Sequence, residues 1–398
     1  MSSPSPALPP SLPCTTGATL ASCGADRTIR LWSRTGSGGT AAAAIGGGTK
    51  ANTSPAPFVC TAVLEESASR TIRTLAWSPC GARLAAACFD ATTAVWEREG
   101  GPAATATASW RQAAVLQGHE SEVKGAAWSP SGAHLATCAR DRSVWVWEVV
   151  TDGAGGAEYE CADVKQGHGG DVKAVAWHPA PEAVAGCAAP GGGILVSASY
   201  DESLRVWADA GDEWVCAQVL GVGEGGHAGT VWCLSFEGAA AAGAPAPAPG
   251  SAPAPAPGPA PGPRLASGGG EGGVRVWECT PRPPGSAPDD DVAWRVDASI
   301  PAAHGGRPVY GVSWAPAGAN APARLATGGG DDAVRVWEEE ERRVDGASSS
   351  SSFVQVAAAK AEPESSEVNA VAWCPADRDL VAAAGDDGVV RVWRVVEV

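Results

Sequence analysis

Two stretches of one segment decide the fold: GHESEVKGAAW at residues 118–128 and LATCARDRSVWVWE at residues 135–148. Within them, apolar and polar residues alternate with a period of two, which predicts short β-strands. The predicted strands are separated by the turn sequences SPSG and RDR, and a fourth apolar run follows. The four runs are Val123–Trp128, Leu135–Ala139, Ser143–Trp147 and Tyr159–Val164.

One such sheet cannot bury both of its faces alone, so copies of it are expected to stack against each other. The tryptophan that closes the third strand recurs seven times, at Trp32, Trp96, Trp147, Trp207, Trp277, Trp337 and Trp393. An acidic turn residue stands six positions before each, at Asp26, Asp90, Asp141, Asp201, Glu271, Asp331 and Asp387.

The first predicted strand of the units also has a recurring end. It closes with an aromatic residue at Trp77, Trp128, Trp177, Phe236, Trp314 and Trp373, and it is preceded by a histidine at His119, His168, His227 and His304. Four short strands per unit, a repeat of roughly 50 residues and a Gly-His paired with a closing Trp are typical of WD40 repeats. The sequence therefore predicts an all-β fold, a seven-bladed WD40 β-propeller.

The recurring polar residues are predicted to form structural hydrogen-bond networks within blades. In blade three the set is His119, Thr137, Asp141 and Trp147, and in blade four it is His168, Ser197, Asp201 and Trp207. Hydrogen bonds in series would satisfy polar groups that blade packing buries. A catalytic Ser/His/Asp reading would require several identical sites buried between strands, so no catalytic residue is predicted.

Composition limits the classes of partner. The 398 residues carry a formal net charge of −16, which argues against nonspecific nucleic-acid binding and against an anionic membrane surface. The first residues, MSSPSPALPP, have no basic segment before an apolar core, so no secretory signal is visible. A cytoplasmic location is expected, with the nucleus as a further compartment.

The twelve cysteines contain no CxxC, so no metal site and no cofactor is predicted. Cys23, Cys88 and Cys138 occupy matching places in second strands, and another set occupies fourth strands, at Cys60, Cys161 and Cys216. We interpret both sets as small apolar fillers of blade interiors. The GGGEGG run at 268–273 matches a dinucleotide fingerprint, but it leads into a strand and not a helix.

Long low-complexity inserts are predicted on one face of the disc only. They follow first or third strands, and they are rich in Ala, Gly, Pro or Ser, at residues 33–57, 98–109, 178–193, 237–263, 278–292 and 338–352. The turns between second and third strands keep a nearly constant length. We call the face that carries these turns the short-turn face and predict that partners bind there.

Two positions per unit indicate what the short-turn face displays. Just before the turn acid, three adjacent blades present Phe89, Arg140 and Tyr200, residue types that dominate binding hot spots. A second position lies near the mouth of the central channel, four residues before the end of the innermost strand. It holds Arg73, Lys124, Lys173, Trp232, Tyr310 and Asn369, and the first five are predicted to bind partners together with the turn residues.

The stretches WSPCG at 77–81, CFDATT at 88–93, GHESEVK at 118–124 and SASYD at 197–201 resemble the cytosolic iron-sulfur assembly WD40 family. The resemblance implies a non-catalytic scaffold of the late targeting complex. Its implied protein partners are a small iron-sulfur targeting adaptor, a HEAT-repeat scaffold and the apoprotein clients that receive [4Fe-4S] clusters. Arg140 matches the exposed arginine that this family uses functionally. Glu271 departs from the turn Asp of the other units.

The two ends of the chain predict an incomplete ring. Residues 1–16 carry five prolines, which remove donors from a strand ladder, so they are expected to form an irregular segment ahead of a single propeller at 17–398. Blade seven ends at Val398 without a fourth strand, so blades one and seven are each predicted to be one strand short.

Two other functional classes are compatible with the predicted fold. A generic WD40 adaptor of a ubiquitin-ligase or chromatin complex would have the same repeats, and only the family-like stretches argue against it. An enzyme would need a carboxylate and a histidine side by side in a pocket, and the repeat alignment places none at the channel mouth.

Overall fold

The second strand of each repeat is the most buried element of the chain. In Arg83–Cys88 every residue but the first is buried, and the Ala85–Ala87 run supplies small side chains that let neighbouring blades approach closely. Fourth strands alternate between half-buried and exposed residues, as in Phe58–Leu64 and Trp110–Leu116. Burial therefore falls from the inner strands to the rim, as expected for sheets that pack face to face around an axis.

The computed structural model consists of seven four-stranded sheets and one small hairpin. The prediction of an all-β, seven-bladed propeller is confirmed. The structure describes residues 8–11, 19–34, 43–45, 58–65, 68–101, 109–151, 156–180, 193–211, 213–238, 263–280, 293–318, 321–340, 343–345, 348–360 and 366–396.

The strands occupy equivalent places in the seven blades. The innermost strands are Leu8–Ser11, Ile72–Trp77, Val123–Trp128, Val172–Trp177, Val231–Phe236, Val309–Trp314 and Val368–Cys374. The second strands are Thr19–Cys23, Arg83–Cys88, His134–Ala139, Ile194–Ser199, Leu265–Gly269, Arg324–Gly329 and Asp377–Gly385. The third strands are Ile29–Arg34, Thr93–Arg98, Ser143–Thr151, Leu204–Asp209, Val274–Thr280, Ala333–Glu339 and Val390–Val395.

The fourth strands of blades one to six are Phe58–Leu64, Trp110–Leu116, Ala157–Gln166, Trp214–Leu220, Ala293–Ile300 and Phe353–Lys360. A hairpin of Arg343–Asp345 and Ser348–Ser350 precedes the last of these, and a 3-10 helix, Val222–Glu224, links blades four and five. In the described ranges, no helix has the length and apolar character needed to cross a membrane.

Blade one is complete, so the prediction that it lacks an innermost strand is wrong. Leu8–Ser11 pairs antiparallel with Thr19–Cys23, within the segment that the prolines were expected to keep irregular. The register shifts between Leu8 and Pro10, which places Pro9 at a bulge. An innermost strand is also a sheet edge, and edges and bulges are the two places in a sheet that accept proline.

Blade seven also has four strands, which corrects the second half of that prediction. Its fourth strand is Ala43–Ile45, which comes from the insert of blade one and runs parallel to Trp393–Val395. Parallel strands cannot be joined by a tight turn. Here they come from distant parts of the chain, since Ala43–Ile45 follows the third strand of blade one and Trp393–Val395 ends blade seven. The pairing closes the ring and covers part of an edge that would otherwise expose free backbone groups.

An aromatic pair recurs in blades two to six and was not foreseen from the sequence. The residue that closes the innermost strand meets an aromatic near the start of the fourth strand, edge to face. The pairs are Trp77–Trp110, Trp128–Tyr159, Trp177–Trp214, Phe236–Trp294 and Trp314–Phe353, at 5.2–6.2 Å between ring centroids. Such a pair contributes about 0.5–1.5 kcal/mol beyond the area it buries, so each one stabilises its blade.

A buried arginine forms ion pairs with residues at the ends of two inserts. Arg264 is 5% exposed and pairs with Glu237 at 2.9 Å, Glu339 at 2.7 Å and Asp297 at 3.4 Å. We call the insert at 237–263 the Ala-Pro insert; Glu237 is its first residue and Arg264 directly follows it. Glu339 lies at the start of the blade-six insert at 338–352. Burial alone would lower the pKa of Arg264, but hydrogen bonds to Glu339 and Glu237 raise it above its usual value. The network therefore holds both ends of the Ala-Pro insert beside blade six.

Candidate protein-docking face

The positions predicted at the channel mouth share one structural feature, a β-bulge. In each blade the register between the innermost and second strands shifts by one residue, and the extra residue occupies the predicted position. A bulge re-aims the side chain of the extra residue. The bulged residues of blades two to seven are Arg73, Lys124, Lys173, Trp232, Tyr310 and Asn369, and Pro9 takes this place in blade one.

The turn residues of the short-turn face are tied to the same strands by their backbones. The Arg140 amide donates to the Glu122 carbonyl at 3.0 Å, and the Tyr200 amide donates to the Asp171 carbonyl at 2.8 Å. The equivalent bond recurs in blades two, five, six and seven. Each bonded carbonyl lies two residues before the bulge, so the turn residue and the bulged residue of a blade are held close together.

The turns keep a constant length because they share a left-handed residue. Ala91, Arg142 and Glu202 all have φ of 69°, and Asp332 has φ of 64° at the same turn position. A non-glycine residue in this region costs about 1–2 kcal/mol, so it persists only where the surrounding hairpin fixes it. A turn lengthened by one residue could not keep this backbone conformation.

Cations and aromatic rings contact one another around the channel mouth. The Lys173 ammonium lies 5.3 Å from the Tyr200 ring centroid and 5.0 Å from the Trp232 ring centroid. Trp232 meets Tyr310 edge to face at 5.3 Å. The Lys124 ammonium lies 4.0 Å from the Phe89 ring centroid, across the boundary between blades three and two. The structure thus brings six of the eight predicted partner-binding residues into contact with another member of that set. The other two are Arg73 and Arg140, and Arg140 contacts Glu122 instead.

Arg140 points away from the core. Its side chain is 59% exposed, and its guanidinium reaches Glu122 only at 3.5 Å, sharing that carboxylate with Arg70. Tyr200 is 60% exposed, and Phe89 is half-buried. The face therefore offers an exposed cation between two aromatic side chains, and sequence reasoning missed the Arg70–Glu122 pair that accompanies it.

The inward side of the same turns carries the predicted polar networks. His119 lies 2.9 Å from both Asp141 and Thr137, and the Trp147 indole donates to Thr137 at 3.0 Å. His168 lies 2.9 Å from Asp201 and 2.7 Å from Ser197, and the Trp207 indole donates to Ser197 at 2.9 Å. The structure adds two further networks, His227–Ser267–Glu271–Trp277 and His304–Thr327–Asp331–Trp337.

The pKa shifts of the inward turn acids and of the channel-mouth residues have different physical causes. Burial would raise the pKa of Asp141, but hydrogen bonds from His119 and Ser143 hold it well below its usual value. Asp201 is held low in the same way by His168 and Ser203. Burial lowers the pKa of Lys124 to about 8. Burial and the neighbouring Glu367 carboxylate raise the pKa of Tyr310 to about 12.

The cysteines fall into two groups, and one of them corrects a prediction. Cys23, Cys88 and Cys138 are buried, as expected of second strands. Cys161 and Cys216 are exposed on fourth strands, so they are not fillers of blade interiors. The fourth strand is the rim of a blade, and its alternate side chains face solvent. Among the residues that the structure describes, no three His, Cys, Asp or Glu come together as a metal site.

The chain matches the family described as WD domain, G-beta repeat, over residues 12–33, 58–97, 110–148, 159–208, 298–338 and 359–394. It is 36% identical over 340 residues to "Probable cytosolic iron-sulfur protein assembly protein 1" of Vanderwaltozyma polyspora, covering 83% of this chain and 82% of that protein. Proteins with the same name in Cryptococcus neoformans and Candida glabrata are 32% and 39% identical. The first alignment covers 95% of this chain and 93% of the relative, and the second covers 81% of each.

Proposed function

Since the chain belongs to the WD40 family of cytosolic iron-sulfur protein assembly proteins, we propose that it is a non-catalytic scaffold of that machinery. Its partners are a small iron-sulfur targeting adaptor and a HEAT-repeat scaffold. Together they deliver [4Fe-4S] clusters to apoproteins in the cytoplasm and the nucleus. The cluster is cargo in this proposal, and the propeller itself supplies protein-docking surfaces.

The observation that carries the proposal is the exposed Arg140 guanidinium between two aromatic side chains on a face of constant turn length. Arginine and tyrosine are enriched among the interface residues that lose most binding energy on truncation to alanine. Among the residues that the structure describes, Arg140 makes no short ion pair, since Glu122 lies 3.5 Å away and is shared with Arg70. A partner carboxylate can therefore bind Arg140 without breaking a strong internal contact.

A scaffold role also agrees with where the titratable groups lie. The four histidines of the repeats are at most 8% exposed, and each one bridges a turn acid and a strand hydroxyl within its blade. A general base must reach a substrate proton, and these imidazoles are committed to internal partners. The exposed groups of the short-turn face include Arg140 and Tyr200, a cation and an aromatic suited to binding.

Affinity purification of the tagged full chain from cytosolic extract, followed by mass spectrometry, tests the proposal. We expect the targeting adaptor and a HEAT-repeat protein to co-purify with wild type and with Lys360→Glu, a charge reversal at an exposed rim position of blade six. We expect Arg140→Glu to lose them. Recovery of ubiquitin-ligase or chromatin subunits instead, with no iron-sulfur assembly protein, would favour the generic WD40 adaptor.

A further inference from the structure

Three adjacent blades place a cation at one structural position. Arg73, Lys124 and Lys173 are the bulged residues of innermost strands in blades two, three and four. All three are half-buried at the channel mouth. In a protein of net charge −16, this is a local concentration of positive charge on neighbouring strands.

The cations are incompletely neutralised by the protein. Lys173 pairs with Asp171 at 3.2 Å. Glu122 is shared between Arg70 and Arg140 at 3.5 Å each. Across the part of the chain that the structure describes, Arg73 and Lys124 form no ion pair, and the Lys124 ammonium lies 4.0 Å from the Phe89 ring centroid. Arg73 and Lys124 are therefore left without a direct ion pair, although the Glu122 carboxylate lies near Lys124.

The three groups are close enough to affect each other. Burial is the main cause of the lowered pKa of Lys124, Glu122 opposes it, and the charges of Lys173 and Arg73 lower it further. Burial is also the main cause of the lowered pKa of Arg73, and the nearby Cys23, Cys233 and Asp386 oppose that shift. Like charges held together in a partly desolvated site are unfavourable unless a counter-ion binds between them.

We propose that Arg73, Lys124 and Lys173 form a binding site for a phosphate-class oxyanion, either inorganic phosphate or a small polyphosphorylated molecule. Phosphate carries a charge of about −1.5 to −2 near neutral pH and has several acceptor oxygens, so it can meet donors from three strands. Arginine binds such groups through two parallel N–H donors, and lysine adds point charges. The site does not depend on the protein partners proposed above.

The test is a titration of the purified full chain, without partners, at low ionic strength where screening is weak. Inorganic phosphate and pyrophosphate are titrated separately by calorimetry, with ³¹P NMR as a second readout. We expect saturable one-to-one binding of at least one anion, with a Kd below about 1 mM. Arg73→Gln and Lys124→Gln should each weaken binding by about tenfold, because each removes a charge-assisted hydrogen bond.

Lys360→Gln is the matched control, because it removes one positive charge at an exposed rim position. It should bind like wild type. Arg73→Lys should keep part of the affinity, and thermal melting of each variant confirms folding. Binding of phosphate alone indicates a free ion, and binding of pyrophosphate alone indicates a polyphosphorylated ligand; both support the site. No saturable binding of either anion, or equal loss in the control, would overturn it.

Discussion

The Lys124 ammonium lies 4.0 Å from the centroid of the Phe89 ring, so the innermost strand of blade three is joined to the short turn of blade two. The contact links the two rings of residues that make up the candidate docking face. Burial also lowers the pKa of Lys124 to about 8 from its ordinary 10.5. The contact thus stabilises a cation that its surroundings partly disfavour.

The lowered pKa of Lys124 predicts that the free energy of unfolding depends on pH. Because the folded-state pKa of Lys124 lies below the unfolded one, the unfolded chain binds more protons between pH 8 and 10.5. Stability should therefore rise with pH across that window for wild type relative to Lys124→Met. Urea unfolding at several pH values measures the difference. A constant difference across the window would contradict the lowered pKa.

A dependence of the same sign, at acidic pH, is expected for Asp331. Burial would raise the pKa of Asp331, but the hydrogen bond from His304 and the Arg335 guanidinium lower it from 3.8 to about 2. Wild type should be more stable than Asp331→Asn near neutral pH by about 1–3 kcal/mol, because the variant loses charge-assisted bonds. That advantage should be lost as pH falls from 3.8 towards 2. An advantage that persists unchanged below pH 2 would refute this prediction.

Arg264 is expected to be the most sensitive charged residue away from the docking face. Arg264→Ala leaves Glu237, Glu339 and Asp297 crowded without their cation, and loss of one partner of a buried network costs about 3–5 kcal/mol. Arg30→Ala is the control, since Arg30 and its partner Asp26 are 46% and 54% exposed and lie 3.6 Å apart. It should cost about 1 kcal/mol or less. Equal losses in the two variants by chemical denaturation would contradict the network.

The Ala-Pro insert is predicted to be dispensable. Most of it, residues 239–262, lies outside the described residues, but its two ends meet: the Glu237 amide donates to the Arg264 carbonyl at 2.7 Å. Loop-closure cost grows only with the logarithm of length, so replacing residues 238–261 by a few glycines and serines should change stability by roughly 1 kcal/mol or less. Complementation should persist. Loss of function in a stable trimmed protein would identify the insert as a binding segment.

The repeat pattern predicted most of the fold because every blade carries a turn acid and a closing Trp at equivalent positions. The turn acid and the closing Trp stand six residues apart in all seven units. Blades three to six add a histidine and join the three residue types in hydrogen-bond networks. Glu271 shows the limit of reasoning by residue type. It departs from the turn Asp of the other units, yet it reaches His227 at 2.5 Å, because its longer side chain still spans the gap.

The errors fall where the pattern was interrupted. Leu8–Ser11 contains Pro9 and Pro10, and its propensity argues against a strand, but an edge position and a bulge accommodate both prolines. Ala43–Ile45 lies inside a low-complexity insert, and its pairing with blade seven is a long-range contact that no local pattern encodes. The positions of the channel-mouth residues followed from alignment of the repeats, whereas their common bulge did not.

The central claim is that Arg140 binds a partner and does not hold the fold. The most direct measurement is the affinity of the purified small iron-sulfur targeting adaptor for wild type, Arg140→Glu and Arg140→Gln, with the melting temperature of each. Surface substitutions usually change stability within about 0.5 kcal/mol, so melting should be nearly unchanged. Loss of a hot-spot contact of about 2 kcal/mol or more should weaken binding of Arg140→Glu at least thirtyfold. Unchanged affinity in a folded variant, or unfolding of both variants, would contradict the account.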